Sequence, residues 1–454
     1  NLLEEREVSQ GSLPVGNISS NEIDIRLINK NGKFDAGNRQ SPLYQLLKPN
    51  RRIKAWLRGE PAQIINPKPE GGKLWHFDTS LESTDGIKPL EGAVATLRPN
   101  EGRFGGAVAV EKGTTNLIPS QSASVEEDAP TGWNNVDGTV HERTTDDAWH
   151  GQASIRATNT KESGNSWLTR SVGISSPPVG MLYTASAYVR GVPGTSASIG
   201  IGFGGGSAPT SWQYAPSTTM NGQWQRVTIT HAVDQPDRTR ATVSLSIHTA
   251  GVTYYWDAIQ LEQKPFATSF VDGSRAEGYL KYQTGLPIYE DWTVAAWFMS
   301  PVGKTTNWQD NYLFSVADGG NRLDVSWDPS QERIRLNCGG TWKYMSVDSP
   351  GLPNEPYFIV LRNNSGKLIL DVMSRFGISS QVMGDIPEGL NPNLVFDAAR
   401  YWGGRNLYTT SLLIDELLIL PYAASKEEIK AWYNSNAPFY DTEIKEWVPL
   451  GTFW

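Results

Sequence analysis

Apolar and polar residues alternate through this chain with the two-residue period of β-strands, and long helical periodicity is scarce. Residues 21–29 (NEIDIRLIN) put isoleucine and leucine on one face. Residues 51–59 (RRIKAWLRG) alternate again, and so do residues 183–190 (YTASAYVR). Turn-rich segments separate these runs. NKNGKFDAGNRQSP at 29–42 and PAQIINPKPEGG at 61–72 are dense in Gly, Pro and Asn. One short helix is expected late in the chain, where Ser425 and Glu428 stand at the spacing of a capping box. With 44 Gly, 28 Pro, 17 Trp and 17 Tyr, the pattern predicts β-sandwiches joined by turns.

The strands group into interrupted units. Residues 73–112 (KLWHFDTSLESTDGIKP, then GRFGGAVAVEKG) open one sandwich, and its continuation comes only at 276–435, beginning AEGYLKYQTGLPIYEDWTVAAWFMS. A separate all-β unit, 116–272, lies between them, from NLIPSQSASV to YYWDAIQLEQKPFATSF. Residues 1–60 and 441–454 read as two parts of a third, split β domain, and 61–72 as a linker. The expected fold class is therefore all-β, nested and multi-domain. An isolated hairpin is marginal in water, so 73–112 should complete its core with 276–435. Residues 52–58 and 444–453 are expected to lie side by side, antiparallel, with the insertion at their hairpin tip.

Charge narrows the function classes. Forty-eight acidic against forty basic residues give a net charge of −8, which argues against nucleic acid as a main partner. The longest apolar runs, such as SLLIDELLIL, are too short to span a bilayer. The one cysteine, Cys338, cannot form an internal disulfide; a catalytic thiol is the sharper alternative for it. The five histidines show no metal-binding spacing, and no Ser/His/Asp set has motif support, so no catalytic residues are assigned and an enzyme is not expected. Strict alternation would send the adjacent Asp415 and Glu416 to opposite faces of their strand.

Three resemblances refine this picture. The strand, the NKNGKFDAG turn, SPLYQLLKPN and RRIKAWLRG of residues 20–58 resemble the opening of a hub-like β domain in minor tail and baseplate proteins of long-tailed bacteriophages. Residues 446–453 (EWVPLGTF) match the return strand of that family, which continues where this chain stops at Trp454. The blocks LWHFD (74–78), GRFGGAV (102–108), WTVAAW (292–297) and LIDELLI (413–419) resemble laminin-G-like, concanavalin-type sandwiches. Glycosidases of that type carry a Glu-x-Asp-x-x-Glu strand. The nearest run here, Glu22-Ile23-Asp24, has Leu27 at the third acid position and lies outside the sandwich. Residues 116–272 resemble carbohydrate-binding modules of the galactose-binding-like jelly roll, through NLIP, HGQASI, YTASAYVR, WQRV and YWDAIQLE.

What the resemblances imply is specific. The jelly-roll family often holds a structural calcium, which here implicates Asn116, carbonyls of His150 to Gln152, and Asp257. The alternative is that Asp257 simply accepts backbone hydrogen bonds. Asp78 is a second calcium candidate, in the outer sandwich. A carbohydrate site needs aromatic platforms. Trp133, Trp224, Trp256 and Trp297 read as core, whereas Trp149, Trp167, Trp212 and Tyr214 lie in polar or Gly-rich surroundings. Trp308, Trp342, Tyr344, Trp402 and Arg405 sit in loop-like contexts of the outer sandwich, where they either bind sugar or seal contacts between domains. The combined expectation is a tail-tip or baseplate component of the virion, assembled in the bacterial cytoplasm. It would be a homo-oligomer partnered by other tail subunits, and its inserted domains would bind host cell-wall or capsule polysaccharide. Alternatives are an extracellular polysaccharide-active enzyme or its binding subunit, and a tail decoration that binds nothing.

Overall fold

The computed structural model describes residues 2–5, 22–25, 69–99, 101–127, 130–301, 312–317, 322–328, 333–347, 354–398, 400–402, 405–408, 411–436, 439–441 and 446–448. The chain divides into two compact units, Asn1–Arg58 and Gly59–Trp454. In the first, Leu2–Glu5 pairs antiparallel with Glu22–Ile25. Residues 52–58 lie outside the described residues. In the second unit, Glu446–Val448 pairs with Phe439–Asp441. The fold is all-β: the described residues form antiparallel sheets, with one substantial helix, Lys426–Asn436.

The second unit contains two sandwiches. In the outer one, a six-stranded sheet runs Lys281–Pro287, Asn393–Asp397, Tyr312–Ala317, Leu323–Asp328, Arg333–Cys338, Thr341–Ser346. Facing it is an eight-stranded sheet in which Leu412–Leu420 sits beside Trp292–Met299 and also pairs with Ala107–Val110 and Lys73–Trp75. Strands from 73–112 and from 276–435 thus share one sheet and one core.

The run WTVAAWFM is apolar throughout because its strand is covered on both faces. Trp292, Val294, Ala296 and Phe298 enter the core between the sheets. Ala295 and Trp297 pack on the other side with Ile429 and Tyr433 of the helix. The helix begins with the expected capping box. Ser425 Oγ accepts from the Glu428 amide (3.2 Å), and the Glu428 carboxylate accepts from the Ser425 amide (2.8 Å).

The inner sandwich is inserted through a narrow neck, where Thr114–Thr115 leaves beside the returning Ser274–Arg275. One of its sheets runs Ser211–Tyr214, Ser196–Gly204, Arg240–Ile247, Ser166–Gly173, Trp133–Val136, with Thr218–Thr219 also on Ser196–Gly204. The other runs Gln225–Ala232, Leu182–Gly191, Thr253–Glu262, Ser154–Asn159, Thr139–Thr144. Alternation decides what lies between them. Ala197, Ile199, Ile201 and Phe203 face Tyr183, Ala185, Ala187 and Val189 in the core, which leaves the intervening residues of both sheets to their outer faces.

Candidate functional site

The register of the inner sandwich's sheet from Ser211–Tyr214 to Trp133–Val136 brings three of the expected aromatic residues onto one outer face. Trp212 lies opposite Gly202, and Tyr214 opposite Gly200. Next in the same rows come Thr242 and Ser244, and then Ser171 and Thr169. Trp167 lies opposite Ser246, which in turn lies opposite Ser198. The face is therefore a strip of small Ser, Thr and Gly side chains with Trp212 and Tyr214 at one edge and Trp167 toward the other. Three strand spacings separate the two aromatic groups, roughly 14 Å.

The glycines set the posture of the rings. A Cβ at Gly202 would lie 2.6 Å from the Trp212 ring, and one at Gly200 would lie 2.5 Å from the Tyr214 ring. Only a bare backbone lets both rings lie down on the strand. They are nearly parallel, with centroids 5.7 Å apart and an interplanar angle of 17°. Trp212 is 40% and Tyr214 43% exposed, so each keeps an open side despite that backing. Polar groups flank the strip. Ser198 Oγ is 3.0 Å from His248 Nε2, and His248 Nδ1 is 3.0 Å from Ser217 Oγ. Burial lowers the His248 pKa, which favours the neutral imidazole, able to donate and accept. The Ser246 hydroxyl is buried without a partner.

The other expected platforms are placed differently. Trp149 stacks on Tyr188, with centroids 3.5 Å apart, on the outer face of the opposite sheet. Trp224 is half-buried rather than core, and its indole N–H donates to Asp147 (3.3 Å). Trp133, Trp256 and Trp297 are buried. In the outer sandwich, Arg335 lies 4.1 Å from the Trp342 ring centroid and Arg333 lies 3.8 Å from that of Tyr344, so a guanidinium covers each ring. Trp308 lies outside the described residues, as do the side chains of Trp402 and Arg405.

The calcium candidates are engaged by the protein itself. The Asn116 carboxamide accepts from the Ile118 and Leu261 amides (3.0 Å each) and donates to the Ile259 and Val271 carbonyls (3.0 and 3.3 Å). Asp257 accepts from the amides of Trp149 and His150 (2.8 Å each) and of Ala258 (2.6 Å). Calcium would need carbonyl oxygens at that turn, but N–H groups face the carboxylate. The Gln152 amide donates to Glu126 (2.8 Å), and Asp78 accepts from the Gly106 amide (2.6 Å). As arranged, these residues do not fit the ion. No group of three or more His, Cys, Asp or Glu among the described residues is set to hold a metal.

The acidic pair departs from simple alternation. The pairing of Leu412–Leu420 with Trp292–Met299 shifts register at this point, and Glu416 adopts φ +51°. Both acids are buried: Asp415 accepts from the Phe104 amide (2.8 Å), and Glu416 holds His76 Nδ1 (2.8 Å). Burial, and next the Glu416 charge, raise the Asp415 pKa well above the carboxylate range. This cluster ties the 102–106 loop to the sheet. Cys338 is buried, and burial pushes its thiol up to about 11, so it is not the thiolate that a nucleophile requires.

Sequence reasoning missed two features. The glycines beneath the rings become meaningful only once the strands are in register. The outer face of the six-stranded sheet of the large sandwich also collects Asp324, Asp328 and Asp397, all buried, beside Arg333 and Arg335. Alternation within LDVSWD was the available signal for Asp324 and Asp328.

No protein-family model matches the chain, and no curated protein sequence is significantly similar to it. Solved structures align over parts of it, at low identity. The CBM22-1 xylan-binding domain from Paenibacillus barcinonensis Xyn10C aligns at 19% identity over 34% of this chain and 99% of that one, with a TM-score of 0.28. A family 16 carbohydrate binding module aligns at 18% identity over 32% and 99%, with a TM-score of 0.25. The enzymatically active domain of bacteriophage CBA120 tailspike protein 4 aligns at 13% identity over 32% and 21%, with a TM-score of 0.26.

Proposed function

We propose that the inner module binds an extended polysaccharide across its Trp212–Trp167 face. One observation carries the reading: Trp212 and Tyr214 lie flat on Gly202 and Gly200, open to solvent, at the edge of a strip of small hydroxyl-bearing residues. Sugar rings have apolar faces that stack on aromatic rings and hydroxyls that bond to serine and threonine. A strip crossing several strands, with Ser198, Thr242, Ser244 and Ser246 buried at its centre and the rings open at its edge, suits a chain of sugars better than a single one. In the finer reading, this is a phage tail-tip or baseplate protein that uses the module to touch host cell-wall or capsule polysaccharide. That part rests on the resemblance of residues 20–58 and 446–453, as do the virion location, tail-subunit partners and homo-oligomeric state. Binding without catalysis belongs to the same proposal.

A glycan array followed by titration calorimetry tests the reading. Saturable binding of a polysaccharide, weakened by Trp212→Ala, supports it; binding unchanged in that variant defeats it. The second reading is a polysaccharide-active enzyme. New reducing ends on incubation with cell-wall glycans would establish that instead.

A further inference from the structure

We infer that the seam between the inner module and the outer sandwich is a second binding site, for a small molecule of about monosaccharide size bearing a carboxylate or phosphate, with Arg226 as the cation that receives it. A cavity of about 310 Å³ opens there, at the lower end of the range for small-molecule sites. The inner module contributes Thr184, Arg226 and Thr228 to its wall, and the sandwich contributes Arg98, Glu101 and Glu111.

Charge pairing singles out Arg226. Arg98 lies 2.6 Å from Glu101 and 2.7 Å from Glu111, and Arg275 lies 3.1 Å from Glu111. Two carboxylates thus serve two guanidiniums, and Arg226 is the third. Its Nη2 donates to Ser186 Oγ (3.2 Å) and to the Thr268 carbonyl, both neutral acceptors. Its Nε is buried with no acceptor. No described carboxylate lies within ion-pair distance of it. The Tyr188 ring lies 5.6 Å away, and the charges of Glu101 and Glu111 reach Arg226 only from beyond ion-pair distance. Burial, and next the charge of Arg98, lower the Arg226 pKa, as expected of a desolvated cation lacking a counter-ion.

A guanidinium presents parallel N–H donors that match a carboxylate or a phosphate. An incoming oxyanion at the cavity edge of the guanidinium would supply the missing counter-ion, and the exposed Thr228 hydroxyl stands on the same wall. This site does not depend on the aromatic face, which belongs to the other sheet of the module.

Titration calorimetry on the full chain, at fixed ionic strength, would use glucuronate, glucose 6-phosphate and inorganic phosphate, with neutral glucose as the control. Saturable millimolar or tighter binding of at least one anion is expected, with none for glucose and at least a tenfold loss in Arg226→Gln. A response to glucuronate alone assigns a uronic acid, and a response to the phosphates alone assigns a phosphorylated ligand. Because Arg226→Gln also touches Ser186 and Thr268, Thr228→Trp gives an independent check. It fills the cavity from an exposed position and should abolish anion binding while the melting temperature holds. Absence of binding by every anion, or binding that survives either folded variant, overturns the proposal.

Discussion

Trp212 and Trp149 are almost equally exposed, at 40% and 38%, yet they stand on opposite sheets of the inner sandwich in opposite circumstances. Trp212 lies on a glycine backbone and keeps an open ring face. Trp149 already spends a face on Tyr188, beside the junction with the outer sandwich. The two outer faces diverge in the same way. One carries small hydroxyls between aromatic edges. The other carries Thr184, Ser186, Tyr188 and Arg190, with Arg226 at the seam cavity near the Arg98–Glu111–Arg275 cluster. Exposure alone therefore does not mark a platform; what lies under and over the ring does.

The largest expected effect lies on the seam side. Glu111→Gln leaves Arg98 and Arg275 without their shared buried carboxylate. It should lower the unfolding free energy by roughly 3–5 kcal/mol, measured by urea denaturation. Polysaccharide affinity should hardly change, since the aromatic face belongs to the other sheet. The pH response follows the same logic. Burial opposes the charged form of Glu111, but Arg98 and Arg275 outweigh it and lower its pKa. Its stabilisation is thus present above the ordinary carboxylate pKa, roughly 4, and is lost as pH falls through the lower folded value. Loss of affinity without loss of stability would reverse the assignment of the two faces.

On the solvent side, Trp212→Ala should weaken polysaccharide binding by one to two orders of magnitude, about 1.4–2.8 kcal/mol. The melting temperature should barely move. Gly202→Val tests the backing rather than the ring. Its Cβ would meet the Trp212 ring at 2.6 Å, so the indole must lift, and a comparable loss of affinity should follow with tryptophan still present. Binding that survives both variants would show that the flat posture is irrelevant to recognition.

On the Trp149 side, Asp257 offers a smaller effect. Burial pushes its pKa up to about 7, despite the three amides that favour its charged form. An acid with a raised folded-state pKa holds its proton more tightly folded than unfolded. Its contribution is full below the unfolded value, roughly 4, and is lost as pH climbs through 7. The melting temperature should therefore fall between pH 5 and pH 8 by more in the wild type than in Asp257→Asn, as scanning calorimetry would show (the pH values only bracket that window). Added calcium should leave the curve unchanged. A calcium-dependent rise that disappears in Asp257→Asn would restore the metal site.

Local pattern was enough for the fold class and for the strands themselves. Alternation in residues 183–190 marks which side chains enter the core, and Ser425 with Glu428 marks the helix start. Features that depend on pairing were not legible. Gly200 and Gly202 look like ordinary glycines in SASIGIGFGGG until the register sets them beneath Tyr214 and Trp212. The bulge at Asp415 and Glu416 defeats simple alternation because a positive φ in a strand leaves no clear mark in composition. Arg226 is unremarkable in WQRV, since its isolation arises from burial against residues more than a hundred positions earlier in the chain.

The smallest predicted change isolates the comparison most cleanly. Trp149→Ala removes the same side chain as Trp212→Ala, at nearly the same exposure, from the other sheet. If open ring faces are what bind sugar, this variant should shift polysaccharide affinity by less than about twofold, below 0.5 kcal/mol. Its effect should appear in stability instead. The ring stacks on Tyr188, and its backbone amide donates to Asp257, a bond that alanine retains. The loss is then confined to a half-exposed aromatic stack, about 0.5–1.5 kcal/mol in chemical denaturation. Equal losses of affinity in the two variants would mean that both faces contact the glycan and that exposure had been sufficient after all. A stability loss confined to Trp149→Ala and an affinity loss confined to Trp212→Ala would separate a residue that holds the module together from one that holds its ligand.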